Sequence, residues 1–173
     1  SGGSGYAYGV ETFYQHQISR FSHTLSYSLS WNYRRFEQLN NGRPYPFIYD
    51  SRHVVTYSFV ATLNETYSAG GIFVFRSGSP VTLPVGYAPS TPFTYGYQIY
   101  DGLNNYRMPA YHRLDLYIKK QWDTRRKRRA SLTLNVYNVY ARKNPVIVYI
   151  ENNRFYKKSL YSIIPTIQYS YAF

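Results

Sequence analysis

Residues 21–33 alternate in character. Phe21, His23, Leu25, Tyr27, Leu29, Trp31 and Tyr33 fall on one side of an extended chain, and Ser22, Thr24, Ser26, Ser28, Ser30 and Asn32 on the other, with His23 the one polar intruder. A period of two sustained this long predicts a β-strand with one apolar and one polar face. The run exceeds the roughly 9–11 residues that a tilted strand needs to cross a bilayer, and its aromatics gather towards its ends.

The same period recurs along the chain. Residues 6–18 set Tyr8, Val10 and Tyr14 opposite Gly9, Glu11 and Gln15, and 52–63 set Val55, Tyr57, Phe59, Ala61 and Leu63 opposite Thr56, Ser58 and Thr62. Residues 111–122 place Leu114, Leu116 and Ile118 against Arg113 and Asp115, and 130–140 place Leu132, Leu134 and Val136 against Ser131, Thr133 and Asn135. Residues 67–75 form a strand of undetermined outward face, because Ile72, Phe73, Val74 and Phe75 are all apolar. The pattern continues through 146–150, turns at Glu151-Asn152-Asn153-Arg154 and returns over 156–173, ending with Ile167, Tyr169, Tyr171 and Phe173 opposite Thr166, Gln168, Ser170 and Ala172.

Connections alternate in length. Ser19-Arg20, Asn64-Glu65-Thr66 and 123–129 are short, whereas 36–51 and 77–110 are long. Outer-membrane barrels pair short periplasmic turns with longer extracellular loops, and their strands are apolar towards lipid and polar towards the bore. The expected fold is therefore all-β, an antiparallel meander of about seven strands forming part of a transmembrane barrel over residues 6–173. Residues 1–5 read as a linker or loop. An open seven-stranded sheet leaves two unpaired edges, which lipid does not tolerate, so closure calls for strands from elsewhere. The alternative is a self-contained small barrel, an adhesin or structural scaffold subunit, in which residues 93–100 supply an eighth strand.

Composition sharpens this picture. Of 173 residues, 20% are aromatic, with 23 Tyr, 10 Phe and 2 Trp, while mean hydropathy is negative at −0.47. Tyrosine in such excess suits surfaces that are apolar along the ring and wet at the tip, as in barrel girdles. No apolar run approaches the roughly 18 residues of a membrane-spanning helix. Cysteine is absent, which excludes disulfides, thiolate catalysis and cysteine metal sites.

The net charge of +12 raises the question of nucleic acid. The charges gather at Arg34-Arg35, 125–129, Arg142-Lys143 and Lys157-Lys158, which read as solvated turns and loops or contacts to anionic lipid head groups. No aromatic-and-basic recognition module accompanies them, so no nucleic-acid partner is expected.

Candidate chemistry is sparse. Asp50, Ser51 and His53 carry the letters of a hydrolase triad, but neighbours on an extended chain point to opposite faces and do not converge. They read as a polar cluster at the start of a strand. Asp50, His53, His112 and Asp115 come together only if their strand starts align. His16, His23, His53 and His112 lack paired metal-ligand spacing. Ser77-Gly78-Ser79-Pro80 lacks the lysine of a phosphate loop and reads as a turn. Arg113 and Asp115 suit an interior polar network. No catalytic, cofactor or metal residues are expected. The Tyr- and Asn-rich loop 77–110 is the candidate ligand- or partner-facing element, with Tyr87, Tyr95, Tyr97, Tyr100, Tyr106 and Arg107 able to stack on sugars, peptides or chelates.

Several stretches, in this order, resemble the C-terminal end of TonB-dependent outer-membrane receptors of the Bacteroidota type. They are Ala7-Tyr8-Gly9-Val10-Glu11, Tyr49-Asp50-Ser51-Arg52-His53, Ser77-Gly78-Ser79-Pro80-Val81-Thr82-Leu83-Pro84 and Pro109-Ala110-Tyr111-His112-Arg113-Leu114-Asp115. Asn135-Val136-Tyr137-Asn138-Val139-Tyr140-Ala141-Arg142-Lys143-Asn144-Pro145 and Ile163-Ile164-Pro165 complete the set. The resemblance implies a plugged barrel of about 22 strands in the outer membrane of a Gram-negative bacterium, importing a nutrient with energy delivered by TonB. It implies as partners the remaining barrel and plug, TonB acting through that plug, lipid or lipopolysaccharide, a surface lipoprotein lid, and the barrel-assembly machinery. The last would read Tyr169, Tyr171 and Phe173. No plug is present in these residues, so the chain is not expected to transport alone.

Overall fold

In the computed structural model, residues 2–124, 128–151 and 154–172 are described. The protein is all-β. Its main sheet contains β1 (Gly3–Ile18), β2 (Phe21–Phe36), β3 (His53–Thr62), β4 (Tyr67–Arg76), β5 (Tyr111–Asp123), β6 (Arg129–Tyr137) and β7 (Ile164–Tyr171). These form a meander in which each strand pairs antiparallel with the next, and the short piece Tyr45–Pro46 also pairs with β2. The sheet does not close: among the described residues β1 and β7 each pair on one side only.

Register explains the faces, because directly opposed residues in an antiparallel pair project to the same side. One row runs Ile18, Phe21, Ala61, Ala69, Ile118, Leu134, Ile167 across all seven strands, and the next runs His16, His23, Phe59, Gly71, Leu116, Val136, Pro165. The opposite face carries the row Gln17, Ser22, Val60, Gly70, Tyr117, Asn135, Thr166. Register also assigns β4, which its letters left open. Phe73 and Phe75 join the apolar face, while Ile72 and Val74 face Asp115 and Arg113 on the other.

The apolar face is uncovered. Val10 is 65% exposed, Leu134 44% and Ile167 74%, whereas among the described residues the buried hydrophobics are only Tyr45, Leu83, Ala130 and Val148. Between Arg35 on β2 and Lys120 on β5, this face shows no formally charged side chain among the described residues. Aromatic clusters mark both ends. Tyr14, His16, Phe21, His23, Tyr57 and Phe59 gather near the short turns, where Lys120 lies over Tyr67 and Trp122, while Tyr6, Tyr8, Trp31 and Tyr33 gather at the other end.

The predicted strands differ from the structure in several places. β1 and β2 are each 16 residues long. Gly3-Ser4-Gly5, expected in a linker, already pair with Phe36, Arg35 and Arg34. Arg34 and Arg35 therefore lie in a strand and not a turn, as do Lys157 and Lys158, while 125–127 lie outside the described residues. The expected return over 156–173 breaks in two. Pro145–Glu151 and Arg154–Ser159 form a hairpin of their own, and β7 begins only at Ile164. A strand does form at 154–159, although its residues Arg-Phe-Tyr-Lys-Lys-Ser do not alternate, and a period of two would not by itself specify a pairing partner.

The break begins at Asn138, whose backbone is left-handed (φ 53°). Its side chain is fully buried, and its Nδ2 donates to the carbonyls of Arg142 and Ser162, so it ends β6 and pins the start of the return. Ala141 closes this corner with its N–H donating to Asn138 O at 2.8 Å, itself at φ 55°. A left-handed alanine costs about 1 kcal/mol. Ala141→Gly is expected to raise the urea midpoint of the folded protein by an amount equivalent to about 0.5–1 kcal/mol; an unchanged or lowered midpoint would refute that strain.

Candidate functional site

The three long connections, 37–52, 77–110 and 138–163, emerge at one end of the sheet, opposite the short turns. Their base is tied by Asp50, whose side chain is wholly buried. Arg107 Nη2 donates to Asp50 Oδ2 at 2.5 Å, while its Nη1 donates to the carbonyls of Asp50 (2.7 Å) and Gly78 (2.8 Å). The Asn32 N–H donates to Asp50 Oδ1 at 2.8 Å, and Arg52 approaches Oδ2 at 3.4 Å. One carboxylate thus joins β2, the start of β3 and the root of loop 77–110. A planar guanidinium is needed, because only its fork reaches carboxylate and carbonyls together.

Ser77-Gly78-Ser79-Pro80 is not a turn. Pro80 and Val81 pair with Arg107 and Tyr106, and the Met108 N–H donates to Ser79 O at 3.0 Å. A Cβ on Gly78 would lie 1.6 Å from Met108 O, so the glycine is there for close backbone approach. Further along, Asn105 brackets Leu83, its Oδ1 accepting from Leu83 N at 2.9 Å and its Nδ2 donating to Leu83 O at 2.8 Å. Asn104 Nδ2 donates to Pro46 O at 2.7 Å.

Above this base, Gly86–Ala88 and Tyr97–Ile99 form a small hairpin. A recess of about 720 Å³ lies between it and the hairpin at 145–159, lined by Pro84, Val85, Gly86, Tyr87, Pro89, Gln98, Ile150 and Glu151. Of the expected ligand-facing residues, Tyr87 lines this recess. Tyr97 faces Ala88 and projects from the opposite side of the hairpin, since Tyr87 faces Gln98. Tyr100 is exposed and its Oη donates to Gln98 Oε1 at 2.6 Å. Tyr95 is 96% exposed at the tip. Tyr106 is half-buried, edge-on to Phe155 at 5.4 Å, and Arg107 is committed to Asp50. The set does not converge on one point.

Segment 93–100 does not join the main sheet. Tyr169 faces Leu132 across β6 and lies 6.3 Å from Trp122, and Tyr171 faces Ala130. Phe173 lies outside the described residues.

The polar face holds a second network. Arg113 Nε lies 3.0 Å from Asp115 Oδ2, and its Nη1 donates to the hydroxyls of Tyr111 (2.9 Å) and Tyr137 (3.1 Å). Asp115 Oδ1 accepts from the Asn138 N–H at 2.8 Å, which holds the corner described above. The sequence anticipated the Arg113–Asp115 network but missed Asn138.

The hydrolase letters separate. Asp50 is engaged by two arginines, His53 Nδ1 lies 3.0 Å from Tyr27 Oη, and His112 Nδ1 lies 2.8 Å from Tyr140 Oη. Burial raises the Tyr140 phenol above its ordinary value. His112 projects from the apolar face and Asp115 from the polar one, so these two do not meet. No cluster of three or more His, Cys, Asp or Glu able to hold a metal occurs among the described residues. One pairing escaped the sequence reading: His16 and His23 face each other across the first hairpin. The turn at Ser19-Arg20 implied it.

Comparison with protein-family models, curated proteins and solved structures gave no match.

Proposed function

We propose that this chain is the C-terminal wall of a TonB-dependent outer-membrane receptor, contributing barrel strands, extracellular loops and an assembly signal to a nutrient transporter completed by further strands and a plug. The observation that carries this reading is the uncovered apolar face, continuous across seven strands and bounded by aromatic clusters and by Arg35 and Lys120. A contiguous apolar surface of this extent needs a nonpolar partner, and acyl chains suit one ending in aromatic belts. The polar face would line a wet bore. The two open edges fit a barrel wall that continues on both sides. The recess beside Tyr87 is where the solute or a lipoprotein lid would first make contact. The smaller-barrel alternative loses its eighth strand, because 97–99 pair with 86–88.

The chain contains no cysteine, so a single cysteine introduced within it, in the full-length protein cleared of any cysteines elsewhere, can carry a nitroxide label. In outer membranes, labels at Val10, Leu134 and Ile167 are expected to collide with dissolved oxygen and be shielded from a water-soluble relaxant. Labels at Thr56, Thr133 and Gln168 should show the reverse. Equal water access on both faces would remove the membrane reading. The transporter reading is tested separately by the coding region upstream of Ser1, where a plug supports it and a signal peptide joined directly to Ser1 contradicts it.

A further inference from the structure

The turn at Ser19-Arg20 sets β1 against β2 so that Ile18 faces Phe21, Gln17 faces Ser22 and His16 faces His23. The two imidazole rings lie 5.8 Å apart, centre to centre, with planes inclined at 72°. His23 sits among Tyr14 at 5.7 Å, Phe21 at 5.4 Å and Tyr57 at 6.0 Å. Tyr57 Oη approaches His23 Nδ1 at 3.5 Å. His16 stacks against Tyr14 at 6.0 Å and is otherwise exposed.

We propose that His16 and His23 form a two-imidazole chelate for a divalent late transition-metal ion, with Cu²⁺ held most tightly and Zn²⁺ or Ni²⁺ less so. Imidazole nitrogens bind such ions at about 2.0–2.1 Å, which puts two ring centres on one tetrahedral ion roughly 5.2 Å apart. The observed 5.8 Å lies within about 0.6 Å of that value, and His16, whose ring is exposed, is the partner with room to adjust. The Tyr57 contact falls on Nδ1 of His23, which leaves Nε2 as the ligand atom and orients the ring, as an outer-shell partner does. Imidazole donors without thiolate or carboxylate favour Cu²⁺ over Zn²⁺ and exclude Ca²⁺ and Mg²⁺, which want oxygen. With two protein ligands and water completing the shell, the ion exchanges readily. This assignment stands on hairpin geometry, and in the membrane reading the pair lies in the aromatic belt beside the Ser19-Arg20 turn, at the level where head-group water reaches it.

Titration of the full-length protein in detergent with Cu²⁺, followed by electron paramagnetic resonance, tests it. The wild type should bind one ion with hyperfine structure from two nitrogens. His16→Gln or His23→Gln should weaken that site about a hundredfold, because the second ligand otherwise binds intramolecularly. His53→Gln and His112→Gln should leave it unchanged. Copper affinity equal in wild type and His16→Gln overturns the proposal. Among the described residues the ring partners of His16 are Tyr14 and His23, so that variant keeps the test valid if His23→Gln fails to fold.

Discussion

Arg107→Met is expected to raise the rate of chymotryptic cleavage after Tyr106, which is half-buried and paired at the loop root, by about a hundredfold. Asp50 has no exposed side-chain surface, and Arg107 supplies its shortest ion pair, at 2.5 Å. Taking one partner from a buried pair costs about 3–5 kcal/mol, because the remaining charge stays buried and uncompensated. Arg107 is itself 35% exposed and Arg52 remains at 3.4 Å, so the low end applies, about 3 kcal/mol. The same change strips the donors from Asp50 O and Gly78 O. Cleavage of a loop that must open first follows the population of the open form, and 3 kcal/mol corresponds to roughly a hundredfold. Arg107→Lys should recover only part of the loss, since an ammonium does not span the carboxylate and both carbonyls. Cleavage at the wild-type rate in Arg107→Met would show that Asn104 and Asn105 hold the loop root without the ion pair.

The second large effect belongs to the apolar face. Under the proposed membrane reading, Leu134→Arg is expected to lower the stability of the lipid-inserted protein by about 2–4 kcal/mol, the cost of an arginine near a bilayer midplane. Leu134 sits between Ile118 and Ile167 in a row with no charge. Thr133→Arg, one residue away, faces Lys119 and Gln168 on the polar side and should be close to neutral. Leu132→Arg lies opposite the native Lys120 and should fall between them, because on the same reading charge cost declines towards the interface, where Lys120 would snorkel. Urea unfolding from lipid vesicles measures all three. Equal losses at 132, 133 and 134 would remove the depth argument and, with it, the assignment of this face to lipid.

Much of the main sheet was legible in the letters. The alternation in 21–33 and the turn at Ser19-Arg20 specify the first hairpin and the face of every residue in it, because side-chain period and turn length are local properties. The Arg113–Asp115 network was legible for the same reason. The candidate site was less so. Tyr87 lines the recess, but Tyr97 projects from the other side of its short hairpin and Arg107 turns to Asp50, partners that lie far off in sequence.

By itself, the sequence determined an all-β chain with a tyrosine-rich, two-faced meander, since each strand's alternation is fixed by residues within it. Tertiary structure alone decided three things: the outward face of β4, the separate hairpin at 145–159 and the corner at Asn138. They depend on which segments pair and where a buried side chain finds its acceptors. Those choices are made between distant residues, and a two-residue period is indifferent to them. The histidine pair was implicit in the turn, but its ring geometry required β2 and β3 to bring Tyr57 alongside.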